Sequence, residues 1–136
     1  MTDMEVNISK KITTGKSNEF ILNAEFKCGN EMIVLFGPTG AGKTLTLNCI
    51  AGLERPDTGY IRVNNTVYYD SGTDINVSPQ KRKVGYLFQN YALLPHLTVE
   101  ENILFGLHSK KDMKDAKGLE QMLDTFEIHG LLERYP

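Results

Sequence analysis

The sequence contains no tryptophan, only two cysteines in 136 residues, and no apolar run longer than Met32–Phe36. Each shortage excludes something. Cys28 and Cys49 stand in no metal-like spacing and are too few for a disulfide framework, which predicts a reduced, cytosolic chain. A run of that length falls far below the ~20 residues that span a bilayer. The opening Met-Thr-Asp-Met-Glu-Val has neither the charged nor the apolar stretch of a secretory leader. Charge of one sign is also missing. Fifteen basic and 17 acidic residues leave a net charge of -2, so no basic field draws nucleic acid or anionic lipid. Repeats and low-complexity tracts are absent as well. What remains, 40% hydrophobic and 24% charged residues, is the composition of a chain that folds as one domain.

Glu5–Ile8 and Phe20–Phe26 alternate as strands do. Glu31–Phe36 has no polar alternation, which predicts a strand buried on both faces of a sheet. After the glycine-rich stretch Gly37–Gly42, residues Leu47, Ile50 and Ala51 recur at helical spacing, with Gly52 at the helix end. Tyr60–Val63 and Thr66–Tyr69 flank Asn64-Asn65 as a hairpin. Asp70–Lys83 is polar, holds Ser78-Pro79 and reads as an exposed loop. Val84–Phe88 is a further short apolar strand. Thr98 with Glu101 predicts a capping box before a helix running to about Leu107. Another helix is expected from Asp112 to about Phe126, with Met113, Ala116, Leu119, Leu123 and Phe126 as its apolar stripe. The order is that of a mixed α/β protein.

One segment dominates the chemistry. Gly37-Pro38-Thr39-Gly40-Ala41-Gly42-Lys43-Thr44 satisfies G-x-x-x-x-G-K-[ST] in full. Glycines let several backbone N–H groups converge on phosphate oxygens without Cβ obstruction, and the helix that follows adds its positive N-terminal dipole. Lys43 is placed to bridge β- and γ-phosphates, and the Thr44 hydroxyl to ligate Mg²⁺. These residues specify a nucleotide-phosphate site. A guanine-reading Asn-Lys-x-Asp segment is missing, which argues against a small GTPase. Thr66–Asp70 resembles a metal-binding strand ending in Asp, but its place in the hairpin gives Asp70 a structural role. Gln89, directly after Val84–Phe88, is able to offer its amide oxygen to Mg²⁺ or to attacking water. On residue chemistry alone it is equally a polar strand-end residue.

Taken with the phosphate loop, Leu47–Gly59 (LNCIAGLERPDTG) and Tyr86–Leu107 make the chain closely resemble the nucleotide-binding subunits of ATP-binding-cassette (ABC) importers, from roughly Asn7 to Pro136. The resemblance implies an α/β fold with a P-loop NTPase core, an antiparallel β subdomain and the start of a helical subdomain, truncated. Residues 1–89 would hold the β subdomain and core, and residues 90–136 the Q-loop and opening helices. Gln89 matches the Q-loop glutamine, which in the family contacts the metal and reports nucleotide state to membrane subunits. Phe20, upstream of the loop, matches the aromatic that stacks on adenine; its alternative is a core phenylalanine. Tyr91 and Leu93 lie where relatives meet a coupling helix of the permease, and core packing is their alternative. Val67–His96 is most similar to oxyanion importers, molybdate and sulfate/thiosulfate in particular with molybdate leading, and polyamine, sugar and ferric-ion importers share much of this segment.

The resemblance also implies ATP and Mg²⁺ as cofactors, permease subunits and a second ATP-binding subunit as partners, no nucleic acid, and a cytoplasmic location at the inner face of the membrane. Lys43 and Gln89 are then the catalytic residues present. The Leu-Ser-Gly-Gly-Gln signature, the strand ending in Asp-Glu and the switch histidine have no counterpart: the sequence has no Gly-Gly or Asp-Glu pair. His108 imitates the histidine but precedes any catalytic acid, and His96 and His129 read as surface or packing residues. The expectation is therefore an amino-terminal fragment of an ATPase that by itself hydrolyses ATP negligibly, exposes sheet edge and apolar surface, and either associates with itself or is only marginally stable. The rival readings are a short, non-catalytic nucleotide-binding module and a soluble ABC ATPase without a membrane partner.

Overall fold

The computed structural model describes residues 3–14, 18–106 and 116–136, which divide into two compact units, 1–86 and 87–136. In the first unit β1 (Met4–Thr14), β2 (Asn18–Cys28), β3 (Thr58–Val63), β4 (Thr66–Asp70) and β5 (Ile75–Asn76) form an antiparallel sheet in the order β2-β1-β3-β4-β5. Helix α1 (Lys43–Ala51) lies between β2 and β3 in sequence. β1 is an interior strand that ladders on both sides, with Val6 opposite Phe26 of β2 and Ile61 of β3. Period-2 alternation sends Val6 and Ile8 inward, where they form the core with Cys49 of α1, Ile61, Tyr68 and Tyr69. The β3–β4 hairpin turns through Asn64 (φ 54°) and Asn65, with Val63 opposite Thr66. Asn tolerates that left-handed backbone better than most residues.

The other face of β1 carries charge. Glu5 stands opposite Lys27 on one side and Arg62 on the other. It pairs with both, Arg62 at 2.6 Å. The Lys27 hydrogen bond first, then those of Tyr60 and Arg62, hold the Glu5 carboxyl down at about 2 against an ordinary 4.5. A depressed carboxyl pKa contributes stability above the unfolded value and loses it as pH falls through the folded one. Glu5→Gln is thus expected to melt below wild type at pH 7. The gap should shrink between pH 4.5 and about 2, which melting curves across that window would show.

Two predicted strands do not form. Residues 32–38 and 83–88 have no regular secondary structure. A strand meant to be buried on both faces needs ladder partners and covering elements, and neither segment is a strand of the sheet among the described residues. The first segment covers the sheet by one side only. Ile33 and Leu35 line an apolar cavity of about 300 Å³ with Met4, Phe26, Leu47 and Ile50. Met32 and Phe36 are instead 92% and 98% exposed. In the second, Leu87 is 82% exposed. The polar stretch after Asp70 is also more structured than expected: it contains β5, a 3₁₀ turn at Pro79–Lys81, and a fully buried Arg82.

In the second unit, α2 (Val99–Leu104) begins with the expected capping box. The Glu101 amide donates to Thr98 Oγ1 (3.2 Å), and the Thr98 amide donates to Glu101 Oε2 (2.8 Å). Asn102 fastens the preceding loop: its Nδ2 donates to the Leu94, Leu97 and Thr98 carbonyls, and its Oδ1 accepts from the Leu94 amide. Helix α3 (Ala116–Phe126) buries Leu123, while Phe126, assigned to the same stripe, is exposed. The expected helix start at 112–115, Leu107 and His108 lie outside the described residues.

Candidate functional site

The phosphate-loop sequence folds around two left-handed glycines. Gly40 (φ 85°) and Gly42 (φ 88°) let the chain double back, with the Ala41 amide donating to the Pro38 carbonyl (3.2 Å). A Cβ at Gly42 would lie 2.7 Å from Leu22 Cδ1 and 3.2 Å from the Phe20 ring, so the loop sits closely on β2. Gly42 is also the N-cap of α1. The first helical amide with an intrahelical partner is Thr46, donating to the Gly42 carbonyl at 2.8 Å. The amides of Lys43, Thr44 and Leu45 are left at the positive end of the helix dipole, the arrangement that receives anions.

Lys43 folds back over this loop, and its Nζ donates to the carbonyls of Gly37 and Pro38, both at 2.8 Å. The ammonium is thereby held at the loop by neutral acceptors, which phosphate oxygens can replace with charged ones. Thr44 is exposed, its hydroxyl one residue into the helix. Converging amides, one ammonium and one hydroxyl form a donor set that fits a polyphosphate with Mg²⁺, a cation commonly held by few protein ligands plus phosphate and water. Among the described residues no group of three or more His, Cys, Asp or Glu side chains is arranged to hold a metal ion.

Phe20, half-buried on β2, brings its ring edge against Gly42 and so joins the phosphate loop in the first unit. Gln89 belongs to the second unit. It is exposed in a turn closed by the Tyr91 amide on the Phe88 carbonyl (3.0 Å), followed by left-handed Tyr91 (φ 59°) and Ala92 (φ 51°). It therefore follows an irregular segment rather than a strand. Tyr91 and Leu93 are exposed. Asp70 is occupied by its own turn, accepting from the Gly72 amide at 2.8 Å. His129 is a surface residue 2.7 Å from Asp124. Burial pushes the Cys49 thiol up to about 11, which keeps it a protonated core residue.

Sequence reasoning missed Arg82. It is 0% exposed, and among the described residues no carboxylate pairs with it. No local signal sets it apart from Lys81 and Lys83 in the sequence.

Comparison with known proteins gives the family of the chain. Residues 22–136 match the model of the ABC transporter family. A molybdenum import ATP-binding protein, ModC, of Rhodospirillum rubrum is 41% identical over 115 residues, 85% of this chain and 31% of that protein. A molybdate/tungstate import ATP-binding protein, WtpC, of Archaeoglobus fulgidus is 40% identical over 118 residues, 86% of this chain and 46% of its own length. The ModC of Vibrio parahaemolyticus is 38% identical over 133 residues, 98% and 34% respectively. The chain thus spans about a third to just under half of the curated relatives it matches.

Proposed function

The chain belongs to the ABC transporter family, and from that premise we propose that it carries the phosphate-binding part of an importer's ATP-binding subunit, with molybdate or a related oxyanion as the transported solute. The observation that carries the reading is the loop itself: left-handed Gly40 and Gly42, the orphan amides of α1 and the back-folded Lys43 make one anion cradle. The oxyanion rests on the printed names of the molybdenum and molybdate/tungstate import relatives.

In this reading the amides of Gly40–Thr44 would hold the α- and β-phosphates, Lys43 would exchange its two loop carbonyls for β- and γ-oxygens, and Thr44 and Gln89 would each offer an oxygen to Mg²⁺. MgATP, when bound, supplies the phosphoryl group that passes to water. The residues here contribute position and charge, the terms that dominate phosphoryl transfer. Phe20 offers the adenine a ring beside the loop. Tyr91 and Leu93 offer apolar contact to a permease, and a second ATP-binding subunit completes the site. No helix among the described residues is long and apolar enough to cross a membrane. The proposed place of work, at the cytoplasmic face, rests on the import relatives' names.

The test is reconstitution. The whole gene product, co-purified with its permease in vesicles, is expected to hydrolyse ATP faster when molybdate and its binding protein are supplied. ATPase activity that co-purifies with no membrane protein would favour a soluble ABC ATPase instead.

A further inference from the structure

The unusual group outside the phosphate loop is Arg82. Its Nη1 donates to the Cys49 carbonyl (2.8 Å) and the Ile50 carbonyl (2.9 Å), its Nε to the Val77 carbonyl (2.8 Å) and its Nη2 to Asn76 Oδ1 (3.1 Å). The guanidinium stands 5.6 Å from the centre of the Tyr68 ring, whose hydroxyl donates to the Arg82 carbonyl. Burial pulls its pKa below the usual arginine value, yet the nearby acceptors are neutral. What balances the charge is the C-terminus of α1. That helix has no basic residue in its last turn, so Arg82 supplies from another part of the chain the cation that the negative end of the dipole favours.

The fit around Arg82 is close. At the end of α1 the Gly52 amide donates to the Cys49 carbonyl and the Leu53 amide to the Asn48 carbonyl, a Schellman motif. Gly52 has φ 82°, and a Cβ there would meet Arg82 Nε at 2.6 Å. Cys49 and Ile50 thus have carbonyls capped by a residue that is itself fastened to β5 and its following loop. Along α1, Thr46, Cys49 and Ala51 are buried and Leu45 and Ile50 pack half-buried against the sheet core, so side chains seat the helix while Arg82 fastens its last carbonyls. The opposite end of the same nine-residue helix is the phosphate loop.

We propose that Arg82 is a positioning residue for the phosphate loop: it clamps the C-terminus of α1 to the β4–β5 edge of the sheet and so sets where the Gly40–Thr44 amides stand. The placement of the amides is independent of any ligand, and only its consequence for affinity rests on the nucleotide reading above.

The experiment compares Arg82→Lys with wild type by amide ¹H–¹⁵N spectra and by MgATP titration. Lysine keeps a charge but cannot bridge both helix carbonyls, Val77 and Asn76 at once. Resonances of Gly40, Gly42, Lys43 and Thr44 are expected to move, although they lie roughly 12 Å along the helix from the substitution. MgATP affinity is expected to fall roughly fivefold. Asn76→Ala removes the Nη2 acceptor but leaves the Nη1 and Nε bonds to Cys49, Ile50 and Val77 in place; it is expected to move the same resonances by less and decides the matter if Arg82→Lys does not fold. Shifts confined to residues 48–53 and 75–83, with affinity unchanged, would overturn the proposal and leave Arg82 a local anchor. Should wild type bind no nucleotide, the nucleotide reading fails, and the loop resonances alone still decide the role of Arg82.

Discussion

Lys43→Ala is expected to remove MgATP binding while leaving the fold intact. The Lys43 ammonium now makes two hydrogen bonds, a part-buried one to the Gly37 carbonyl and an exposed one to the Pro38 carbonyl. The loss of those neutral contacts costs little stability. With phosphate in place the same ammonium makes charge-assisted bonds worth about 1.5–3 kcal/mol each. Losing two of them weakens binding by roughly 100-fold or more. Calorimetric titration with MgATP measures this, and circular dichroism verifies that the variant is folded. Wild-type affinity in a folded Lys43→Ala chain would remove the lysine from the site.

The second large effect is on stability. Ile61 is fully buried where β1, β3, β4 and α1 meet, in contact with the core of Val6, Ile8, Cys49, Tyr68 and Tyr69. Ile61→Ala leaves a void among strands already fixed by their ladders, at about 2–5 kcal/mol. Against the total stability of about 5–15 kcal/mol typical of a domain, that is a large share. Ile61→Val should cost only about 0.5–1.5 kcal/mol. Urea midpoints read both, and the valine variant should bind MgATP as wild type does, because the loop is untouched. Equal midpoints for the alanine variant and wild type would mean the sheet core is not where the stability resides.

How much of this was legible in the sequence depended on whether a signal is local. The phosphate loop is a spacing of residue types whose conformations follow from glycine and from the helix after it, so Gly37–Thr44 could be read directly. The Thr98–Glu101 box and Gly52 at the end of α1 are of the same kind, each set within a few residues. The Asn64-Asn65 hairpin formed as read. Phe20 is singled out only by the family resemblance, since nothing in its own neighbourhood in the sequence distinguishes a core ring from one at a loop; its ring edge lies beside Gly42.

The errors are non-local. Glu31–Phe36 has the composition of a doubly buried strand, but burial and pairing depend on partners, and the described residues leave Met32 and Phe36 in solvent. Val84–Phe88 failed for the same reason, and Gln89 lost its strand with it. Arg82 was hidden in the basic, polar run Gln80-Lys81-Arg82-Lys83, where Lys81 and Lys83 are exposed as composition suggests. Only the tertiary meeting of that run with the end of α1 distinguishes one cation from its neighbours.

The most direct test of the central claim is a titration of the wild-type chain with MgATP, MgADP and AMP. A cradle built from loop amides and Lys43 reads phosphates, so ATP and ADP should bind and AMP should bind at least roughly 100-fold more weakly. AMP binding as tightly as ATP, or no binding by any of the three, would contradict the assignment of Gly37–Thr44 as a nucleotide-phosphate site.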